Sequence, residues 1–375
     1  MGELMIIGAT VLRDGAWATG DLVCRDGLVV DGATAGGEDR DRQEVDGTGF
    51  LVVPGFVDLQ CNGGLGIHLT EQPERIWELA AALPRWGVTA WLPTIVTAPE
   101  GAIDAALAAL AAGPPEGWRG AVPVGLHIEG PFLSPTSRGA HSEPLLRPPT
   151  LAAIAGWSRH SGVAVVTLAP DLPGATEVLS ELVARGVVVS LGHTPVTAAG
   201  ATQAVDAGAR WVTHLFNGMA SLHHREPGLV GVALTDERVH VGLIADGVHV
   251  HPTVVALVQR AVGPRLTLVT DAVAALGRTA SPEPGGVRLA DGTLAGGDVP
   301  MDQAVRNLVA FSGCSSEVAL HAATAAPSTV LADVARGRLA PGARADLVLL
   351  TPDLQVVSTW VGGELVHDAR WSVPG

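Results

Sequence analysis

The chain has no lysine, since all 23 of its basic residues are arginine. That absence excludes a Schiff-base lysine, a phosphate-loop lysine and a carbamylated lysine bridging two metals. Tyrosine is also absent, so no phenol acts as acid or nucleophile. The cysteines are only three, Cys24, Cys61 and Cys314, and they are widely spaced without a CxxC pair. Neither a disulfide framework nor a zinc ribbon is indicated, and a reducing compartment fits. No apolar run approaches a membrane span, and Met1-Gly2-Glu3 opens the chain without a basic segment, so a cytoplasmic protein is expected. Positive charge is scarce: 23 basic against 38 acidic residues gives −15. This argues against non-specific binding to nucleic acid or anionic membranes, and a phosphorylated ligand would need a local cationic pocket.

What is present is apolar and alternating. Hydrophobic residues make up 47% of the 375 positions, enough for a (β/α) barrel of about 250 residues plus a smaller module. Residues 4 to about 53 are short β-prone pieces separated by Asp-Gly and Gly-Gly turns, and they read as antiparallel strands. From Pro54 apolar runs alternate with Ala-rich helical stretches such as Pro73 to Trp86 and Ile103 to Ala112. Strand ends are expected near Gln60, Thr94, Glu129, Pro170, His193, Leu215, Asp246 and Asp271, the eight that close a TIM-type barrel. Met301 to Phe311 and Glu317 to Val334 read as helices, and β texture returns from Arg338 with a hairpin around Gly362-Gly363. The expected architecture is therefore a (β/α)8 barrel over residues 54–337, with a small β-sandwich module built from residues 1–53 and 338–375.

Three apolar runs end in metal-capable side chains: Leu126-His127-Ile128-Glu129, Val189-Ser190-Leu191-Gly192-His193 and Trp211-Val212-Thr213-His214. Each alone reads as an ordinary polar strand terminator. Together they suggest a carboxylate and two imidazoles around one metal with an open position for water. A fourth strand-end acid, Asp271, can move protons there, whereas its bland reading is a loop cap. His127 shares the strand face of Glu129 and reads as a hydrogen-bonded barrel histidine, with a second metal site shared with Gln60 as the alternative.

Several ordered motifs resemble the N-acetylglucosamine-6-phosphate deacetylases of the amidohydrolase superfamily. They are Pro54-Gly55-Phe56-Val57-Asp58-Leu59-Gln60, His127-Ile128-Glu129-Gly130-Pro131-Phe132, Gly192-His193-Thr194, His214-Leu215-Phe216-Asn217-Gly218-Met219, Arg225-Glu226-Pro227-Gly228, Ala245-Asp246-Gly247-Val248-His249 and Thr270-Asp271-Ala272. Most amidohydrolases carry His-x-His on the first strand, and here Asp58 and Gln60 stand in its place. The resemblance implies the single-metal branch, with one divalent ion, Zn²⁺, on Glu129, His193 and His214, and with Asp271 as general base and acid. It assigns His141 to the acetyl oxygen or a sugar hydroxyl, and Ala140, Asn217, Gly218, Leu294, Ala295 and Gly296 to sugar or phosphate contacts. Arg225, paired with His249, is expected to hold the phosphate, because without lysine only arginine, histidine or backbone N–H groups can. In the family this arginine reaches a neighbouring subunit's site, so the resemblance implies a homodimer. Hydrolysis of N-acetylglucosamine 6-phosphate is the expected reaction. Another N-acetylhexosamine (phosphate) substrate, a D-aminoacylase-like amidohydrolase and a non-catalytic sugar-binding protein are the alternatives. Departures at Val273-Ala274-Ala275 and Gly297-Asp298 keep the hexosamine open.

Overall fold

A computed structural model describes residues 2–31, 42–278 and 286–371. Eight parallel strands form the barrel: Phe56–Cys61, Val88–Val96, Leu126–Glu129, Val163–Leu168, Val188–Leu191, Trp211–Val212, His240–Leu243 and Leu266–Leu268. These runs are rich in β-branched and other apolar residues because both faces are covered, one by the barrel interior and one by helices. Helices Ile76–Ala82, Ala102–Ala111, Ala175–Ala184, Ala198–Asp206, Gly228–Thr235, Pro252–Val262 and Met301–Ser312 supply that outer layer. After the third strand, residues 130–162 form a long irregular connection with three short 3₁₀ turns in place of an α-helix.

Both chain ends enter one eight-stranded mixed sheet. Strand Leu51–Pro54, which leads into the barrel, pairs with Leu347–Leu350, which follows it. This module encloses its own core of Leu4, Ile6, Val11, Leu22, Val52, Leu347 and Trp360, separate from the barrel core. The expected hairpin is present, with Val356–Val361 antiparallel to Glu364–Asp368.

Three sequence expectations are corrected. The first 53 residues are not all antiparallel, because Arg42–Asp46 and Leu51–Pro54 both run parallel to Glu3–Arg13. Leu28–Val30 is antiparallel to Ala16–Arg25, and the next described strand, Arg42–Asp46, lies on the other side of Glu3–Arg13 in the same direction. The helix expected over Glu317 to Val334 is two pieces, Ser316–Ala323 and Ala325–Val330, broken at Thr324 (φ −129°, ψ −79°). Pro327 has no N–H to offer the Ala323 carbonyl, so the first helix cannot continue through it. Finally, the later strands stop short of their expected ends, at Leu168, Leu191, Val212, Leu243 and Leu268. At three of these ends the reason is backbone conformation: His193, His214 and Asp271 have φ of 49°, 26° and 46°, outside what a β ladder accepts.

Candidate active site

Those three residues turn their side chains inward over the C-terminal mouth of the barrel. Glu129 Oε1 lies 3.2 Å from His193 Nε2 and 2.9 Å from His214 Nε2, and the two imidazole nitrogens are 3.1 Å apart. Ligands of a tetrahedral Zn²⁺ with bonds of about 2.0–2.1 Å stand about 3.3 Å from one another, so this spacing suits one ion. The surroundings agree. His193 Nδ1 donates to the Ser137 carbonyl at 3.0 Å, which leaves its Nε2 lone pair free for a cation. Glu129, His193 and His214 are all buried, and among the described residues the ion-pair partners of the carboxylate are histidines, not arginines. Burial disfavours the Glu129 charge, but the neighbouring His193 and His214 imidazoles outweigh it and hold the carboxyl well below its usual range. Burial likewise opposes the His214 charge, and the bond and charge of Glu129 reverse that and carry the imidazole up to about 9. Without an ion, the cluster holds a proton where a cation would sit.

Asp271 adjoins this cluster. Its Oδ1 accepts from Gln60 Nε2 at 2.9 Å and from Asn62 Nδ2 at 2.7 Å, and Gln60 Nε2 also reaches Glu129 Oε1 at 3.1 Å. Burial raises the Asp271 carboxyl to about 6, with His214 opposing and Glu129 adding to the rise. A carboxyl poised there can both take and return a proton near neutral pH.

His141 stands on the other side, its ring 4.6 Å from that of His193 and its Nε2 3.8 Å from Glu129 Oε2. The Thr97 N–H donates to His141 Nδ1 at 3.4 Å, which puts the ring hydrogen on Nε2. Burial and the neighbouring His193 push this imidazole down to about 3, so it is a neutral donor. His249 Nδ1 is 2.6 Å from Asp246 Oδ2, and that carboxylate, opposed by burial but bonded to His249 and two backbone N–H groups, lies below its usual range. His127 is a barrel histidine as expected: Nε2 meets Thr167 Oγ1 at 2.7 Å inside a row of hydroxyls from Thr94, Thr167, Thr213 and Ser190. Burial lowers it to about 4.

One cavity of about 1050 Å³ gathers almost every residue expected from sequence. Glu129, His193, His214, Asp271, His141, Ala140, Asn217, Gly218, His249, Leu294, Ala295 and Gly296 all line it. Gly218 is there for space: a Cβ would lie 2.7 Å from His193 Nδ1 and 2.9 Å from the Ser137 carbonyl oxygen. Arg225 is not brought to the cavity; it is exposed, with Nη1 2.9 Å from His224 Nε2. Sequence reasoning missed Asn62, Thr97, Ser137 and Asp246. His68, which is exposed, also borders the cavity. Two of these had a signal: Asn62 follows Gln60 at the strand period, and Asp246 precedes His249 by three residues across an Asp-Gly turn.

Comparison with known proteins places this geometry. Residues 51–366 match the family model described as Amidohydrolase family. N-acetylglucosamine-6-phosphate deacetylase of Mus musculus is 37% identical over 402 residues, covering 99% of this chain and 97% of that protein. N-acetylgalactosamine-6-phosphate deacetylase of Escherichia coli O157:H7 is 39% identical over 330 residues, covering 84% of this chain and 87% of that protein. Among solved structures, a mutant N-acetyl-D-glucosamine-6-phosphate deacetylase of Mycobacterium smegmatis in complex with N-acetyl-D-glucosamine-6-phosphate superposes with a TM-score of 0.87. It is 34% identical, with 98% of this chain and 100% of that one covered. The Thermotoga maritima deacetylase gives a TM-score of 0.84 at 31% identity, covering 97% of this chain and 100% of that one. The chain belongs to the amidohydrolase family and is a metal-dependent hydrolase of it.

Proposed function

We propose that the chain hydrolyses N-acetylglucosamine 6-phosphate to glucosamine 6-phosphate and acetate. The observation that carries this reading is the convergence of Glu129, His193 and His214 beside Asp271 at the floor of one cavity. A divalent ion held by those three, Zn²⁺ by its nitrogen and oxygen donors, would polarise the acetyl carbonyl and acidify a water. Asp58 and Gln60 offer no imidazole pair for a second ion, so one per chain is expected. His141, with its hydrogen on Nε2, donates to the acetyl oxygen or a sugar hydroxyl. Asp271 takes a proton from the attacking water and returns it to the sugar nitrogen as the C–N bond breaks, ending as it began. Ala140, Asn217, Gly218 and Leu294-Ala295-Gly296 line the sugar's side of the cavity.

Among the described lining residues there is no arginine, although the proposed substrate carries a phosphate. His249 supplies one donor, and we assign the missing fork to Arg225 of a second copy, which makes the working form a homodimer. The paired sheet strands Leu51–Pro54 and Leu347–Leu350 support a division into a terminal module and a barrel near residues 53 and 338. The free cysteines fit a cytoplasmic setting, and among the described residues no helix is long and apolar enough to cross a membrane.

A second reading, deacetylation of the galactosamine epimer, is favoured by the 39% identity to a deacetylase named for that sugar. Acetate release from N-acetylglucosamine 6-phosphate, N-acetylgalactosamine 6-phosphate and unphosphorylated N-acetylglucosamine, at equal concentrations, tests the choice. The account expects the first to turn over fastest and the last to be slow. Faster release from the galactosamine sugar favours the epimer reading, and no acetate from any of the three overturns both.

A further inference from the structure

The barrel closes between its first and eighth strands without a regular ladder among the described residues. Alternate residues from Asp58 to Asn62, along the first strand and just past its end, do the joining. Thr270 donates from Oγ1 to Asp58 Oδ2 at 2.5 Å and from its backbone N–H to Asp58 Oδ1 at 3.3 Å. The Asp271 N–H donates to the Gln60 carbonyl at 3.0 Å, and the Asn62 N–H to the Ala272 carbonyl at 2.7 Å. Within this seam Asp271 keeps a left-handed backbone, outside the strand alternation that would set where its carboxylate points. Two side-chain amides do that, and both land on the same oxygen, Oδ1.

The two are not equivalent. Gln60 shares its Nε2 between Asp271 and Glu129, whereas Asn62 Nδ2 makes the shorter bond and gives it to Asp271 alone. Its amide orientation is dictated by chemistry, because a carboxylate only accepts and must therefore face Nδ2. Among the described residues Asn62 Oδ1 has no hydrogen-bond partner, so the bond to Asp271 is the one that holds this amide. Among the described residues Asp271 Oδ2 accepts no hydrogen bond, and the side chain borders the cavity.

We propose that Asn62 is a positioning residue for Asp271: by occupying Oδ1 it presents Oδ2 as the oxygen that receives the proton from water and delivers it to the departing nitrogen. This rests on the reading of Asp271 as the proton carrier. Asn62 itself forms and breaks no bond in the reaction.

The test is a double-substitution cycle on the metal-loaded protein, following acetate release from N-acetylglucosamine 6-phosphate. Asn62→Leu removes the donor at similar size. It should lower kcat about 10- to 100-fold, the range for one hydrogen bond to a charged group, with KM and bound metal unchanged. In an Asp271→Asn background the same change should alter the residual kcat by less than about twofold, because no carboxylate remains to be aimed. A loss in that background as large as in the parent would mark Asn62 as merely structural and overturn the proposal. So would a parental kcat in Asn62→Leu. Should Asn62→Leu fail to fold, Asn62→Ser and Asn62→Ala replace it: the hydroxyl donor should recover part of the kcat that Ala loses, and equal loss in both overturns the proposal. Undiminished kcat in Asp271→Asn alone would instead refute the role of Asp271 itself.

Discussion

Left-handed backbone at the turns of the terminal sheet and at the barrel mouth has different causes. In the terminal sheet it falls on Asp14 and Asp26, each followed by a glycine with positive φ, at tight turns between antiparallel strands. Aspartate and glycine accept that conformation locally, so the turn sequence explains it. At the barrel mouth it falls on His193, His214 and Asp271, none of which is followed by a glycine in a tight turn between strands. There the conformation is imposed by tertiary contacts: Ser137 on His193, Glu129 on His214, Gln60 and Asn62 on Asp271. Strain that local sequence explains is architecture. Strain that distant contacts sustain, at His193, His214 and Asp271, borders the cavity.

The largest effect should come from the strained acid. Asp271→Asn is nearly isosteric, and turnover should fall by about 10²–10⁴-fold while substrate and metal still bind. The same group sets an acid limb. Asp271 must be ionised to accept a proton, and burial raises it to about 6, so kcat should decline as pH falls through that region. The sign reverses for stability. A carboxyl raised in the folded state favours folding at low pH and loses that contribution as pH rises through about 6, so metal-free Asp271→Asn should melt above the parent at neutral pH. A pH-rate profile and melting curves in chelator check both, and an unchanged kcat would remove Asp271 from proton transfer.

Next is Gly218→Ala. The added methyl meets His193 Nδ1 at 2.7 Å on backbone at φ 65°, so it should displace the imidazole and weaken metal affinity about 10- to 100-fold, the usual penalty for disturbing a ligand's support. Competition with a calibrated chelator measures it, and parental affinity would show that His193 is held otherwise.

Arg225→Ala should raise KM for the phosphorylated sugar by the factor that corresponds to about 1.5–3 kcal/mol, one hydrogen bond to a charge, and leave the slow unphosphorylated reaction alone. Equal loss on both substrates would place Arg225 in folding or chemistry instead. The smallest effect belongs to the terminal sheet. Asp14→Gly should change stability by less than about 0.5 kcal/mol and activity not at all, since glycine suits the turn as well. A larger loss would mean that the Asp14 turn is not locally determined.

Much of this was legible in the sequence because a barrel places its site at strand ends, and Glu129, His193, His214 and Asp271 each follow an apolar run. The Asp-Gly turns and the return to β texture after Arg338 likewise announced the terminal module. What failed to show had physical reasons. Parallel pairing of Arg42–Asp46 and Leu51–Pro54 with Glu3–Arg13 depends on a crossover, not on the strands' own composition. Asp58 and Gln60 read as missing ligands, whereas their work is to join the first strand to Thr270 and Asp271. Arg225, expected at a phosphate, lies away from its own chain's cavity, and the contact to a second copy proposed above would leave no mark on one chain's pattern.

The central claim is that Glu129, His193 and His214 hold one catalytic ion beside Asp271. Stripping the protein with chelator and adding back Zn²⁺ while following acetate release tests it most directly. The account predicts activity that is abolished by stripping, rises linearly and breaks at about one equivalent per chain. A break at two equivalents, or full activity in the stripped protein, would contradict it.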